Sequence, residues 1–358
     1  MSERTFVGLD VHARSVVACS IDAQTGETTR ARLTPEAEDI WRWLQELPGP
    51  VAVAYEAGPT GFGLARFLSD RQTRCVVAAP SKIIRAPGDR VKTDARDAQL
   101  LARLLLHGDL VPVTVPSRQA EGARDLVRAR EDARSDLMRA RHRLSKLLLR
   151  QGIVWSGGDA WTGAHDAWLR RQRFDDPARQ LAFESDYEAV ANIVARRDRL
   201  DQAIEAMAAD SEFTPVVHRL GCLRGISTLT AFGLAVEIGD WHRFTGSSIG
   251  AFVGLTPSES SSGASRSLGS ITKTGNTHAR RLLVEAAWHQ RRPSRLSVTL
   301  ERRRTGKSLA VRAQADRSAR RLHGRWHALE GRGKPRTIVV VAVASELAGH
   351  CWALATME

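Results

Sequence analysis

Short apolar runs separated by polar turns dominate the first third of the chain. FVGLD and SVVACSID are two apolar segments split by the polar VHARS stretch, which predicts two strands joined as a hairpin. ETTRARL fits a third strand, and a helix is expected from Pro35 with Trp41, Leu44 and Leu47 on one face. VAVAYEAG then reads as a strand, GFGLARFLSD as a helix, CVVAAP as a strand and DARDAQLLARLLLHG as a helix. Strands alternating with helices predict an α/β domain over residues 5–114, with a mixed sheet covered on its faces.

The pattern changes at Ser117. From there to about Gln151 it predicts one long, highly charged helix, with Leu126, Leu137, Leu144 and Leu148 as a sparse apolar stripe among arginines. Such a stripe suits a coiled-coil dimer arm, a nucleic-acid face, or a helix packed on its own domain. Gly157, Gly158 and Gly163 mark a break, surrounded by Trp155, Trp161 and Trp168, and a second helical pattern runs from Asp186 to Ala209. Residues 215–290 read as another compact unit. Within it, Leu223-Arg224-Gly225-Ile226-Ser227 before an apolar helix resembles a helix-hairpin-helix turn, whose backbone amides can hold a phosphate; Ser227 replaces the usual second glycine. GLTPSESSSGASRSLGSITKTGN is so rich in Gly, Ser and Thr that it is expected to be mostly loop, ending at the helix HARRLLVEAAWHQ. The expected division is 1–115, 116–210 (helical) and 211–358 (mainly helical).

Composition sharpens this picture. A length of 358 residues suggests two or three structural units, and 42% hydrophobic residues are enough for real cores, which excludes global disorder. The formal net charge of +13 points to a polyanionic partner, since each Lys or Arg set against a phosphate releases counterions. Residues 291–336 hold fifteen Lys or Arg against three acids, so nearly all of that excess sits in one stretch. Arg302, Arg303, Arg304, Lys307, Arg312, Arg320 and Arg321 are its candidate phosphate contacts. Cys19, Cys75, Cys222 and Cys351 lie far apart, giving neither a zinc ribbon nor a disulfide framework, and fit a reducing cytoplasm. The segment MSERTFVGLD has no apolar signal core. TIVVVAVASELAGHCWALA raises a membrane question, but Glu346 and His350 would be costly in lipid, so a buried amphipathic helix is expected.

The candidate chemistry is carboxylate chemistry. Asp10 ends one strand, Glu56 ends another, and Asp94 and Asp97 stand i, i+3 at the mouth of a helix. Four such acids repel one another unless a cation lies between them, and hard oxygen ligands favour Mg²⁺ or Mn²⁺. Singly, each has a plainer reading: Asp94 as a helix cap, Asp97 as a first-turn acid, Asp10 as a turn residue. Glu56 is harder to excuse, because it follows apolar strand.

VGLDVHARS, YEAGPTGFGLARFL and KTDARDAQLLARLL resemble the RuvC-like DEDD domain of the insertion-sequence one-ten family of transposases. GLTPSESSSGASRSLGSITKTGNTHARRLLVEAAW resembles that family's C-terminal transposase domain, with its GLxP opening, SG pair and ITKxGN turn. The resemblance implies an RNase-H-like sheet carrying the DEDD set as Asp10, Glu56, Asp94 and Asp97, and a serine nucleophile directly before the glycine of the SG pair, Ser262. Ser260 and Ser261 are neighbours in the same run. It further implies a bacterial cytoplasmic protein at the nucleoid, a homodimer or higher homo-oligomer acting on donor and target DNA, guided by a structured non-coding bridge RNA. Read from the residues alone, the serine loop has no His and only Glu259 as an acid, so activation must come from elsewhere. The carboxylate cluster is the available source, which predicts a composite active site. Two other functions compete: a hydrolytic RuvC-like junction nuclease using the same acids, and a non-enzymatic nucleic-acid-binding protein with a degenerate nuclease fold.

Overall fold

The computed structural model describes residues 3–84, 93–262, 265–293 and 295–357. Two compact units divide the chain, Met1–Ser117 and Arg118–Glu358.

In the first unit, β1 (Thr5–Val11), β2 (Val16–Asp22), β3 (Thr28–Leu33), α1 (Ala37–Gln45), β4 (Val51–Glu56), α2 (Gly63–Asp70), β5 (Arg74–Ala78) and α3 (Asp94–His107) follow one another. The sheet order is β3-β2-β1-β4-β5; β1–β2 and β2–β3 are antiparallel, β1–β4 and β4–β5 parallel. Strand alternation sorts the side chains onto two faces. Val7, Leu9, Val53, Tyr55 and Val77 bury themselves with Ile40 and Leu44 of α1 and Leu68 of α2. On the opposite face, Phe6, Ala52 and Ala54 meet Leu105 of α3. Small residues let α3 approach closely. A β-carbon on Gly8 would stand 2.0 Å from the Ala98 carbonyl oxygen, so only glycine allows β1 and α3 to touch here. The mixed sheet with helices on both faces matches the α/β expectation.

The second unit comprises α4 (Arg118–Arg150), α5 (Gly163–Leu169), α6 (Pro177–Ala209), α7 (Thr214–Leu220), α8 (Thr228–Ile238), α9 (Ser248–Phe252), β6 (Pro257–Ser262), β7 (Ser265–Ile271), α10 (Thr277–Ala287), α11 (Val298–Arg304), α12 (Leu309–Glu330) and α13 (Arg336–Ala355). α4 and α6 run antiparallel, with ion pairs Arg130–Asp201 (2.7 Å) and Arg143–Asp186 (3.7 Å) along the seam. Leu137, Leu144 and Leu148 of the α4 stripe are buried with Leu169, Phe183 and Val190, so this part of the stripe is consumed within the chain. α6 begins at Pro177 rather than Asp186. The Asp176 carboxylate accepts from the Arg179 amide at 2.7 Å and Pro177 occupies the first turn, a strong start signal. α13 is long and apolar enough to cross a membrane by length and composition alone. Here it packs against α7, α9, α10 and α12 and buries Val339, Val343, Leu347 and Cys351, as the core-helix expectation required.

One expectation is overturned. The Gly/Ser/Thr-rich segment after Leu255 is a β-hairpin: β6 and β7 pair antiparallel from Pro257↔Ile271 to Ser262↔Ser265. Main-chain pairing between two strands satisfies the backbone without a large apolar core, so composition concealed it. Gly263 of the SG pair and Lys92 of the KTD motif lie outside the described residues.

Candidate active site

The site of the first unit forms where parallel strands end. Leu9 pairs with Tyr55, so Asp10 and Glu56 follow one residue on, at the carboxyl ends of β1 and β4. Asp10 shares its face of β1 with Gly8, and Glu56 shares its face of β4 with Ala54; that face is the one α3 covers. The first turn of α3 carries Asp94 and Asp97, held by Thr93, whose side chain caps the helix by accepting from the Arg96 amide. Asp97 is buried at 8% exposure. Strand register and helix approach therefore bring all four acids to one end of one face.

His12 joins them. Its Nε2 lies 3.2 Å from Asp10 Oδ2 and 3.8 Å from Asp94 Oδ1. One ligand atom from each of Asp10, His12 and Asp94 falls within 4.8 Å of the others, a group able to hold a metal ion. Glu56 and Asp97 stand outside that tight group. Glu56 nonetheless lines, with Asp10 and His12, a cavity of about 930 Å³ whose walls include Pro35, Tyr55 and Leu64. The Tyr55 hydroxyl donates to the Gly61 carbonyl at 3.1 Å, tying down the loop after Glu56. Burial pushes the Asp10 carboxyl above its ordinary range; His12 opposes this, while the charges of Asp94 and Asp97 add to it. A carboxylate raised by burial and by like charges is a group short of a cation, and the donor set of hard oxygens with one imidazole fits a small divalent ion. Sequence reasoning does not single out His12; the Asp-x-His spacing at a strand end is the available signal.

In the second unit, Ser262 is exposed at the last pair of the β6–β7 hairpin. Ser260 sits two residues back, opposite Ser267. The hairpin base is firmly held. Thr272 donates to the Thr256 carbonyl at 2.9 Å, Lys273 to that of Gly254 at 3.1 Å, and the Arg280 guanidinium to Val253 and Thr274 at 2.9 Å each. Below it lies Glu237, whose side chain is 1% exposed. Asn276 Nδ2 donates to it at 2.7 Å, His278 Nδ1 lies at 3.2 Å and Arg128 Nε donates at 3.2 Å. Burial raises the Glu237 carboxyl, but the bonds from His278, Arg128 and Asn276 outweigh it and hold the pKa at about 2.

The candidate phosphate-binding cations divide into groups. Arg302, Arg312 and Arg320 are exposed and have no ion-pair partner among the described residues, and Lys307 is half-buried. Arg303 donates to the Ile226 carbonyl, and Arg321 pairs with Glu346. Arg304 departs from the expectation of a solvent-facing phosphate contact. It is buried, donates to the Cys222 carbonyl at 2.9 Å and pairs with Asp316, fastening α11 to the turn after α7. Its charge is used inside the fold, which an arginine run does not disclose. At the helix-hairpin-helix-like turn, Gly225 has φ +81°, and a β-carbon there would meet the Ala286 carbonyl at 2.4 Å. Ser227, in place of the second glycine, caps α8 by accepting from the Thr230 amide at 3.2 Å.

Both halves of this arrangement recur in known proteins. A profile of DEDD-type transposases, described as "Transposase", matches residues 7–152, and the profile "Transposase IS116/IS110/IS902 family" matches residues 217–299. A putative transposase of Sinorhizobium fredii is 39% identical over 98% of this chain and 88% of its own length. The chain belongs to the IS110-type transposase family. The transposase for insertion sequence element IS1533 of Leptospira borgpetersenii is 31% identical over 93% of this chain and 99% of its own. A probable family 20 transposase of Pseudomonas aeruginosa is 27% identical over 98% and 97%. This transposase is accordingly an enzyme of an insertion sequence that cleaves and transfers DNA strands. The second profile covers the hairpin and its supports.

Proposed function

We propose that this transposase cuts and rejoins DNA through Ser262, with Asp10, Glu56, Asp94 and Asp97 holding Mg²⁺ or Mn²⁺. The observation that carries the metal half is the convergence of Asp10, His12 and Asp94 within 4.8 Å beside the end of β4. A bound divalent ion there supplies charge neutralisation at a phosphodiester. Asp10 and Glu56 hold their places through strand register, and Asp94 and Asp97 through the capped first turn of α3, so little reorganisation is needed when the ion and DNA arrive. His12 orients the Asp10 carboxylate by its 3.2 Å contact.

The Ser262 hydroxyl attacks phosphorus, a new P–O bond to serine forms, and the bond to one deoxyribose oxygen breaks, with the serine proton passing to solvent or base. The phosphoserine ester conserves the bond's reactivity, so a free DNA hydroxyl can later displace the serine without hydrolysis. The exposed place of Ser262 on a hairpin with a pinned base supports this role. A structured non-coding bridge RNA is proposed as guide for donor and target DNA, and the +13 charge suits a polyanionic partner of either kind. A homodimer or larger homo-oligomer completes the proposal.

Strand cleavage of DNA carrying the ends of the insertion sequence tests the metal half. Removing one metal-holding acid should cost several kcal/mol of transition-state stabilisation, roughly a hundredfold or more in rate. Asp10→Asn and Asp94→Asn that cleave at the parent rate in Mg²⁺ would end this reading. Purification followed by separate RNase and DNase treatment tests the guide: retained nucleic acid should be lost to RNase.

A further inference from the structure

We propose that the pocket between α4, α5 and α6 binds one unstacked nucleotide of a nucleic-acid strand, with its base against Trp161 and its phosphate on Arg141. The pocket encloses about 480 Å³, within the range of small-ligand sites, and Arg141, Trp161, His165, Tyr187, Val190 and Arg197 line it. It belongs to the second unit alone and does not depend on the carboxylate site.

Arg141 is the first indication. The arginines around it along the α4–α6 seam are neutralised: Arg130 by Asp201, Arg134 by Glu131, Arg139 by Asp136 and Arg143 by Asp186. Arg141 has no ion pair among the described residues, and its Nε is buried without a hydrogen-bond partner. Its guanidinium instead lies 4.8 Å from the centre of the Trp161 ring. The pocket's acids are already engaged. Asp166 accepts from the Tyr187 hydroxyl at 2.7 Å and from Arg170 at 2.9 Å, and Asp198 from Arg197 at 2.6 Å. An anion entering the pocket therefore meets an unneutralised, half-buried cation.

His165 is the second, independent indication. It is 5% exposed, lines the pocket, and its Nδ1 is buried without a partner among the described residues. The rings of Trp155, Trp161 and Trp168 surround it at 5.0–5.4 Å, and burial depresses its pKa, so the neutral imidazole can exchange a hydrogen bond with a polar base edge. The backbone of Trp161 adopts φ +67°, a conformation bulky residues rarely accept, so the fold holds this indole in place against its own preference. A planar, π-rich, anionic ligand with polar edges satisfies all three residues, and a nucleotide is that chemistry.

The test uses the full chain, stripped of co-purifying nucleic acid, and single-stranded oligonucleotides bearing one 5-iodouracil, ribose and deoxyribose strands in separate arms. After irradiation, tryptic peptides are mapped. The expected adduct is at Trp161 or His165. Since stacking one base on an aromatic side chain is commonly worth about tenfold in affinity, Arg141→Gln should lower the yield at either residue, and Trp161→Ala the yield at His165, roughly tenfold, with Arg141→Lys and Trp161→Phe restoring most of it. Adducts on the basic segment 291–336 serve as the internal standard for folded protein. Which sugar arm labels the site identifies the strand as RNA or DNA. Adducts confined to the basic segment, a Trp161 adduct undiminished by Arg141→Gln, or a His165 adduct undiminished by both Trp161→Ala and Arg141→Gln, would overturn the proposal.

Discussion

Asp10 is half-buried and Glu237 buried, and their surroundings give the two acids opposite behaviour. The Asp10 carboxyl is raised by burial first and then by Asp94 and Asp97, against His12. Its ionisation therefore opposes folding: its contribution is present at low pH and lost as pH rises through its raised folded-state value. In a chelator at neutral pH, Asp10→Asn should melt at or above the parent temperature. Saturating Mg²⁺ should reverse the order, because an ion at a hundred times its Kd stabilises the parent by about 2.7 kcal/mol and the variant by much less. An Asn variant that melts lower in chelator, or gains as much from Mg²⁺, would contradict the site. Glu237 is held at about 2, so its stabilisation is complete above the ordinary carboxylate range and disappears as pH falls through that range towards 2. Glu237→Gln leaves Arg128 and His278 facing a neutral amide. The expected cost is about 3 kcal/mol by urea denaturation at pH 7, and the variant should lose the parent's steep weakening below pH 4.5.

The contact of β1 with α3 is the element on which the first site depends. Gly8→Ala would place a methyl against the Ala98 carbonyl and the Ala102 amide, so α3 must shift and carry Asp94 and Asp97 away from Asp10. Overpacking of this kind costs about 1–3 kcal/mol. Cleavage should fall far more than that loss of stability explains, measured as rate per folded molecule. The strands and helices of this unit are legible because short continuous apolar runs, as in FVGLD, VAVAYEAG and CVVAAP, are set off by polar turns. Of the acids, only Glu56, at the end of an apolar strand, lacks a plain structural reading; Asp10, Asp94 and Asp97 are singled out by standing with it in the order that the family resemblance carries. His12 is not legible, since a histidine in a polar turn looks like surface until the strand's parity places it beside Asp10. The β6–β7 hairpin is illegible because Ser260, Ser262, Ser265 and Ser267 pair through backbone and leave no apolar alternation to read. The early start of α6 is written in Asp176–Pro177, a capping signal that the apolar pattern further on outweighs.

On the scale of the whole molecule, charge is what the sequence shows most plainly and locates least well. Of the basic positions in residues 291–336, Arg302, Arg312 and Arg320 reach solvent without ion-pair partners among the described residues, whereas Arg304 is folded inward onto Cys222 and Asp316. Neutralising the first three should flatten the log–log salt dependence of duplex binding, by up to about 0.9 for each phosphate left without its cation, with stability nearly unchanged. Arg304→Ala should do the reverse, costing about 3 kcal/mol through the orphaned Cys222 carbonyl and the space left by a buried side chain. The proposed function requires that Ser262 become covalently joined to DNA in a reaction that needs the carboxylate site. The most direct measurement incubates the full chain with labelled DNA bearing the ends of the insertion sequence in Mg²⁺, traps protein–DNA adducts in denaturant, and maps the modified residue by mass spectrometry. A phosphoserine at residue 262 is expected, retained in Ser260→Ala and absent in Asp10→Asn. DNA cleaved by Ser262→Ala at the parent rate, or an adduct mapped to another residue, would contradict it.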